Sequence, residues 1–155
     1  MIPELAQFRA DIPMLLATLE AILADREARY PGNVADGKLS AEDAARGLTL
    51  SRAMVAEWRW ATDPAAPALP PYGDDGHFGI LNTLLAGDAA TMALRARQKA
   101  RAAPHDTQAS QRADHCEAIA WLQQDQPNVP GISRLSWHES IDRRVARRFA
   151  EARVE

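Results

Sequence analysis

The sequence predicts an all-α fold, a helical bundle of about five helices built on an N-terminal antiparallel αα-hairpin. Three observations carry that prediction. Leu5, Phe8, Ile12, Leu15, Leu19 and Ile22 recur at steps of three and four, the spacing of one helical face. After a short polar connection a second stripe follows, with Ala44, Leu48, Val55 and Trp58. Two such stripes joined by few residues must bury against each other or against a partner. Aromatic residues make up only 6% of the chain while alanine is abundant, which suits close-packed helices better than a β-sandwich.

The first helix is expected from about Pro3 to Arg29, kinked at Pro13 because the apolar phase holds across that proline. Tyr30-Pro31-Gly32 is expected to break it. The second helix has a clear start, with Ser40 and Asp43 spaced as a capping box and Leu39 at the staple position. It should end at about Thr62, before Asp63-Pro64. Gly47 weakens this helix by roughly 1 kcal/mol relative to alanine, a cost that a close helix crossing would explain. Residues 64–76 form a Pro/Gly-rich connection, stiffened by four prolines over 64–71 and packed by Leu69 and Tyr72.

A third helix is expected to open at Phe78, Leu81, Leu84 and Leu85, with a break at Gly87-Asp88 and a continuation to about Ala103. Ala89, Ala93, Ala96, Ala100 and Ala103 give that continuation a small-residue face. A fourth helix, from about Thr107 to Gln124, turns Ala109, Ala113, Cys116 and Ala120 inward. Asn128-Val129-Pro130-Gly131 reads as a turn, and no strand is expected. Ser136 with Glu139 forms a second capping box, opening a last helix with Ile141, Val145, Phe149 and Ala152 on one side. The 155 residues thus fit a single domain: a 1–63 hairpin, the 64–76 connection and a 77–153 three-helix portion.

The hairpin junction carries a recognisable string: Tyr30-Pro31, then Val34, then Gly37-Lys38-Leu39, with an alanine-containing helix after Ser40. Over residues 22–60 it resembles a motif of small phage and prophage helical proteins. The resemblance implies a mobile-element origin and a helical hairpin, and it implies no activity. The physical reading is similar. Val34 and Leu39 can plug the turn, and Gly37 supplies a backbone conformation that other residues resist.

Composition narrows the function classes. The longest apolar runs fall far short of the roughly 18 residues that span a bilayer, so no membrane partner is expected. The start of the chain lacks the basic and apolar regions of a signal peptide. With Cys116 as the lone cysteine no internal disulfide is possible, and a cytoplasmic setting is the expectation. The net charge of −3 is unevenly spread: residues 1–90 carry 7 basic and 13 acidic side chains, residues 91–155 carry 11 and 8.

Chemistry-bearing motifs are sparse. His77, His105, His115 and His138 all have acidic neighbours, yet the His-Glu-x-x-His and Glu-x-x-His spacings of helical metal sites are absent. Cys116 falls on an apolar helical face, as a small core residue would. The glycines at 73, 76 and 79 lack the strand and the Lys-Ser/Thr of a phosphate loop. Arg95, Arg97, Lys99 and Arg101 crowd one helix end, where cations complement the macrodipole.

The sequence therefore reads as a non-enzymatic protein–protein interaction module of phage or mobile-element origin, an inhibitor or adaptor with no cofactor and no metal. Its partner is a host or phage protein, met by the chain alone or as a homo-oligomer, and its contact residues are Trp60, Leu69, Tyr72 and His77. One alternative is a nucleic-acid-associated accessory protein using Arg143, Arg144, Arg147 and Arg148 on the last helix. Another is a metal-dependent helical-bundle enzyme centred on His115 and His138.

Overall fold

A computed structural model describes residues 11–63, 65–66 and 68–153, apart from the side chains of 144–147. Among these residues the fold is an all-α helical bundle with five helices and one small sheet. The order is α1 (Ile12–Ala35), α2 (Ala41–Thr62), α3 (Asn82–Ala102), α4 (Thr107–Gln123), β1 (Asp125–Gln126), β2 (Val129–Ser133) and α5 (Arg134–Ala152). α1 pairs with α2 and α3 with α4, giving two helical hairpins that pack across α1/α4 and α2/α3. α5 closes the assembly against α2 and α4. No described helix is long and apolar enough to cross a membrane.

The expected leading segment from Pro3 lies outside the described residues. Pro13 occupies the first described turn of α1, where its missing N–H costs nothing. The expected break at Tyr30-Pro31-Gly32 does not occur, because α1 runs through Pro31 to Ala35. Pro31 leaves only the Glu27 carbonyl without a helical donor, and both residues are exposed to water. The stop comes six residues later, at Gly37, whose φ of +70° carries the chain into the left-handed region. Its N–H donates to the Val34 carbonyl (3.1 Å) and the Lys38 N–H to the Asn33 carbonyl (2.9 Å), the paired bonds of a Schellman cap.

Ser40 then opens α2 as expected, its hydroxyl accepting the Asp43 N–H at 3.0 Å. Where α2 meets α1, a β-carbon on Gly47 would sit 3.0 Å from the Tyr30 ring. The close crossing expected at this glycine is therefore real, and Tyr30 is what comes close.

The core joins both hairpins. Leu15 and Leu19 of α1, Met54, Val55 and Trp58 of α2, Leu85 of α3, Ile119 and Leu122 of α4 and Leu135 of α5 are all buried. Burying each such side chain stabilises the fold by about 1.5–3 kcal/mol. Ala89, Ala93 and Ala100 of α3 are buried along with Ala113 of α4, so the small-residue face lets these two helices approach closely.

Three further expectations are corrected. α3 opens at Asn82, four residues after Phe78, and passes Gly87 without a break. Residues 77–81 are held non-helical because Phe78 packs on Trp60 (ring centroids 6.0 Å apart) and His77 Nδ1 bonds the Pro70 carbonyl at 2.6 Å. A two-stranded antiparallel sheet, β1 with β2, stands where only a turn was expected. Asn128 makes its turn at φ 66°, and β1 is too short to leave an alternating pattern in the sequence. Finally, α5 opens at Arg134 with Ser133 as its cap, the hydroxyl accepting the Ser136 N–H at 3.1 Å. Ser136 itself is engaged elsewhere. The expected apolar side of this helix is half-buried at Ile141 but 67% exposed at Phe149; the Val145 side chain lies outside the described residues.

Candidate functional site

Two polar regions stand out, one closed and one open. The closed region is centred on Glu57, a carboxyl side chain that is only 3% exposed. It sits in α2 between Met54 and Ala61 on a buried face. One carboxylate oxygen accepts the Ser133 hydroxyl and the Ser136 hydroxyl (2.7 Å). The other accepts Gln123 Nε2 at 3.0 Å. Ser133 and Ser136 occupy the cap and the first turn of α5, so the carboxylate also faces the positive end of that helix.

Gln123 extends the network. Its Oε1 accepts the Trp58 indole N–H (3.0 Å) and its Nε2 also donates to Asn82 Oδ1 (2.7 Å). Asn82 Nδ2 donates in turn to the Gln123 carbonyl (2.9 Å) and to Asp125 Oδ1 (2.6 Å). Asp125 Oδ2 accepts the Gly131 N–H at 3.1 Å. The chain of bonds thus locks α2, α3, α4, the β-hairpin and α5 together.

A buried carboxyl group demands such complete pairing, because leaving it unsatisfied here would cost several kcal/mol. The adjoining cavity has about 10 Å³ of free space, room for a single water. His77 lines it but is tied to the Pro70 carbonyl. With no room for a substrate and every donor committed, the Glu57 region holds the fold together.

The open region is a cleft between α1 and the α3–α4 hairpin. One end, about 400 Å³, is lined by Asp25, Arg29, Lys99, Asp106 and Arg112 among others. The other end, about 370 Å³, adds Ile22, Tyr30, Met92, Arg95 and Cys116. The two ends share Asp25, Arg29, Ala96, Lys99 and Arg112, which makes them one trough.

The cations here divide into satisfied and unsatisfied. Arg26 binds Asp88 at 3.1 and 3.3 Å, Ser51 Oγ at 2.8 Å and the Gly47 carbonyl at 3.1 Å, tying α1 to α2 and α3. Arg29 is paired with Asp25 at 2.9 Å. Arg97, on the outer side of α3, bridges to Asp114 (2.5 Å) and Glu117 (2.7 Å) of α4. Its hydrogen bonds hold the Glu117 carboxyl below the usual carboxylate range and push its own guanidinium further up. Arg95, Lys99 and Arg112 have no hydrogen bond or ion pair among the described residues. Cys116 forms part of the cleft floor, 2% exposed, and burial pushes its thiol pKa up, away from nucleophilic character.

The residues expected from sequence are distributed differently. Trp60 is buried (8% exposed), lying under the Arg143 guanidinium at 3.9 Å and against Phe78. Its ring is therefore packed within the body, although it is among the residues expected to contact a partner. Arg143, expected on a basic surface, also donates to the Trp60 carbonyl and to the Asp63 carbonyl (2.9 Å). Leu69 is half-buried against the core. Tyr72 is 55% exposed, with its ring edge 5.1 Å from that of His77. Arg148 is exposed, and the side chains of Arg144 and Arg147 lie outside the described residues. His115 shares a 3.0 Å hydrogen bond with Thr18. Among the described residues no three His, Cys, Asp or Glu side chains gather as a metal site would require.

Sequence reasoning missed Glu57, although a signal existed. Leu50, Met54, Glu57 and Ala61 fall at helical steps of four, three and four, placing a charge on an apolar stripe. Arg95 and Lys99 were visible only as a helix-end cluster. Neither they nor Arg112 has an acidic residue four positions away to pair with.

No protein-family model, no curated protein and no solved structure matches the chain.

Proposed function

We propose that the chain is a non-enzymatic interaction module that captures an acidic partner in the cleft between α1 and α3–α4. The observation that carries this reading is the unpaired trio Arg95, Lys99 and Arg112 around an open trough, in a chain whose net charge is −3. Unpaired like charges held around a concavity attract an oppositely charged surface and speed its association. The absence of a free nucleophile–base pair around Glu57, Cys116 and the described histidines favours binding over catalysis. The Tyr30-Pro31…Gly37-Lys38-Leu39 resemblance supports an inhibitor or adaptor of phage or mobile-element origin, working in the cytoplasm on a host or phage protein.

The test is capture from a lysate of the source organism by the wild-type chain, by K99E/R112E and by R148E. A stoichiometric protein lost with K99E/R112E and retained by R148E is the expected result. Capture unaffected by the cleft variant contradicts it. Recovery of nucleic acid lost only with R148E favours the second reading, an accessory protein that contacts nucleic acid through the exposed end of α5.

A further inference from the structure

Resting on that reading, we infer that the occupant of the cleft is an acidic amphipathic peptide segment, with carboxylates on Arg95, Lys99 and Arg112 and apolar side chains on the floor. The dimensions fit such a segment. Along α1 the trough runs from Ala21 to Asn33, about 18 Å at 1.5 Å per residue, or roughly three turns of a docked helix. Arg95 and Lys99 lie four apart on α3 and so share a face, while Arg112 projects from α4. Acidic residues spaced by four on a peptide helix match the α3 pair.

The floor distinguishes a peptide from a polyphosphate or nucleic acid. Ile22 and Ala96, half-buried with Met92 and Cys116 packed beneath them, give it an apolar character that a phosphate backbone leaves uncovered, whereas an amphipathic helix buries its own stripe there. Met92 adapts readily to an incoming side chain. The α4 N-terminus at one end, a natural place for phosphate, is already occupied by the Asp106 carboxylate, which accepts the Ala109 N–H at 3.0 Å. Asp25, which lines both ends of the trough, is already paired with Arg29. A phosphate finds that helix end taken, while carboxylates spaced along Arg95, Lys99 and Arg112 meet cations that have no ion pair among the described residues.

The experiment selects ligands from a random 16-residue peptide display library on the immobilised full-length chain, with R95E/K99E/R112E as the comparison. Melting temperature and helical circular dichroism first establish that the variant is folded; if it is not, K99Q/R112Q replaces it. The expected result is enrichment of peptides rich in Asp and Glu with apolar residues at steps of three and four. Their binding should weaken at least about tenfold in the charge variant, as expected for losing close charge pairs. Selected peptides without net negative charge, equal selection by the variant, or no selection at all overturn the inference. So does a DNA duplex that displaces the peptide at lower concentration and depends on the same three residues. If no acidic peptide is selected but a lysate protein still requires Lys99 and Arg112, the peptide inference falls and the interaction reading stands. If capture is also indifferent to the cleft, both fall.

Discussion

The Glu57 network and the α1/α3–α4 cleft are both rich in polar groups, and they differ in how those groups are satisfied. Around Glu57 each carboxylate oxygen, amide and hydroxyl meets a partner within the protein, and the leftover space holds about one water. Around the cleft three cations meet solvent beside a trough some forty times larger, about 400 Å³ against about 10 Å³. Polar groups inside a fold must be paired to be tolerated. Polar groups that stay unpaired at a concavity cost the fold little and remain available to a ligand. The difference separates a structural polar cluster from the surface proposed to bind a partner.

Removing a partner should hurt the closed region most. Glu57→Ala strands two serine hydroxyls and the Gln123 amide and leaves a cavity, so a loss of about 3–4 kcal/mol is expected. At 2–4 °C per kcal/mol for a chain of this size, the melting temperature should fall by about 6–16 °C. A near-neutral Glu57→Ala in thermal denaturation would remove the distinction between the regions. The next largest effect belongs to the Arg26–Asp88 pair, whose side chains are only 11% and 13% exposed. Asp88→Ala leaves the Arg26 guanidinium without its charge partner and should cost about 2–3 kcal/mol by urea titration.

A smaller effect depends on pH. Arg97 lowers the Glu117 carboxyl in the folded state, so the contribution of this contact is complete above the ordinary glutamate range. It is lost as pH falls through the depressed folded value. Urea melts at pH 7 and pH 3 should show wild type and Glu117→Gln converging at the lower pH. The difference at pH 7 should itself be small, because the Glu117 side chain is 49% exposed and solvent screens it. Least of all should the cleft matter to stability. Charge reversal in K99E/R112E should shift the unfolding free energy by no more than about 0.5 kcal/mol, while abolishing partner capture.

The helices were legible because their signals are local. Ser40 and the apolar stripe of α2 fix a start and a face within a few residues of sequence. Errors arose where a long-range contact overrode a local signal. Pro31 is the exception: it reads as a stop, yet another local signal, the left-handed Gly37, sets the terminus. Ser136 reads as a cap, yet its hydroxyl is drawn to Glu57, seventy-nine residues earlier in the chain, and Ser133 caps instead. Trp60 and Arg143 read as surface residues on separate helices, and they cover each other. The cleft was least legible, because it depends on how far α1 splays from α3–α4. The missing acidic partners of Arg95, Lys99 and Arg112 were nonetheless present in the spacing.

Hydrogen–deuterium exchange of the chain alone and in complex with its captured partner tests the central claim most directly. Added protection should concentrate in residues 21–33, 92–99 and 108–116, with the segments around Glu57 already protected and unchanged. Protection confined to residues 68–81 or to the exposed end of α5 would contradict the account and move the binding surface away from the cleft.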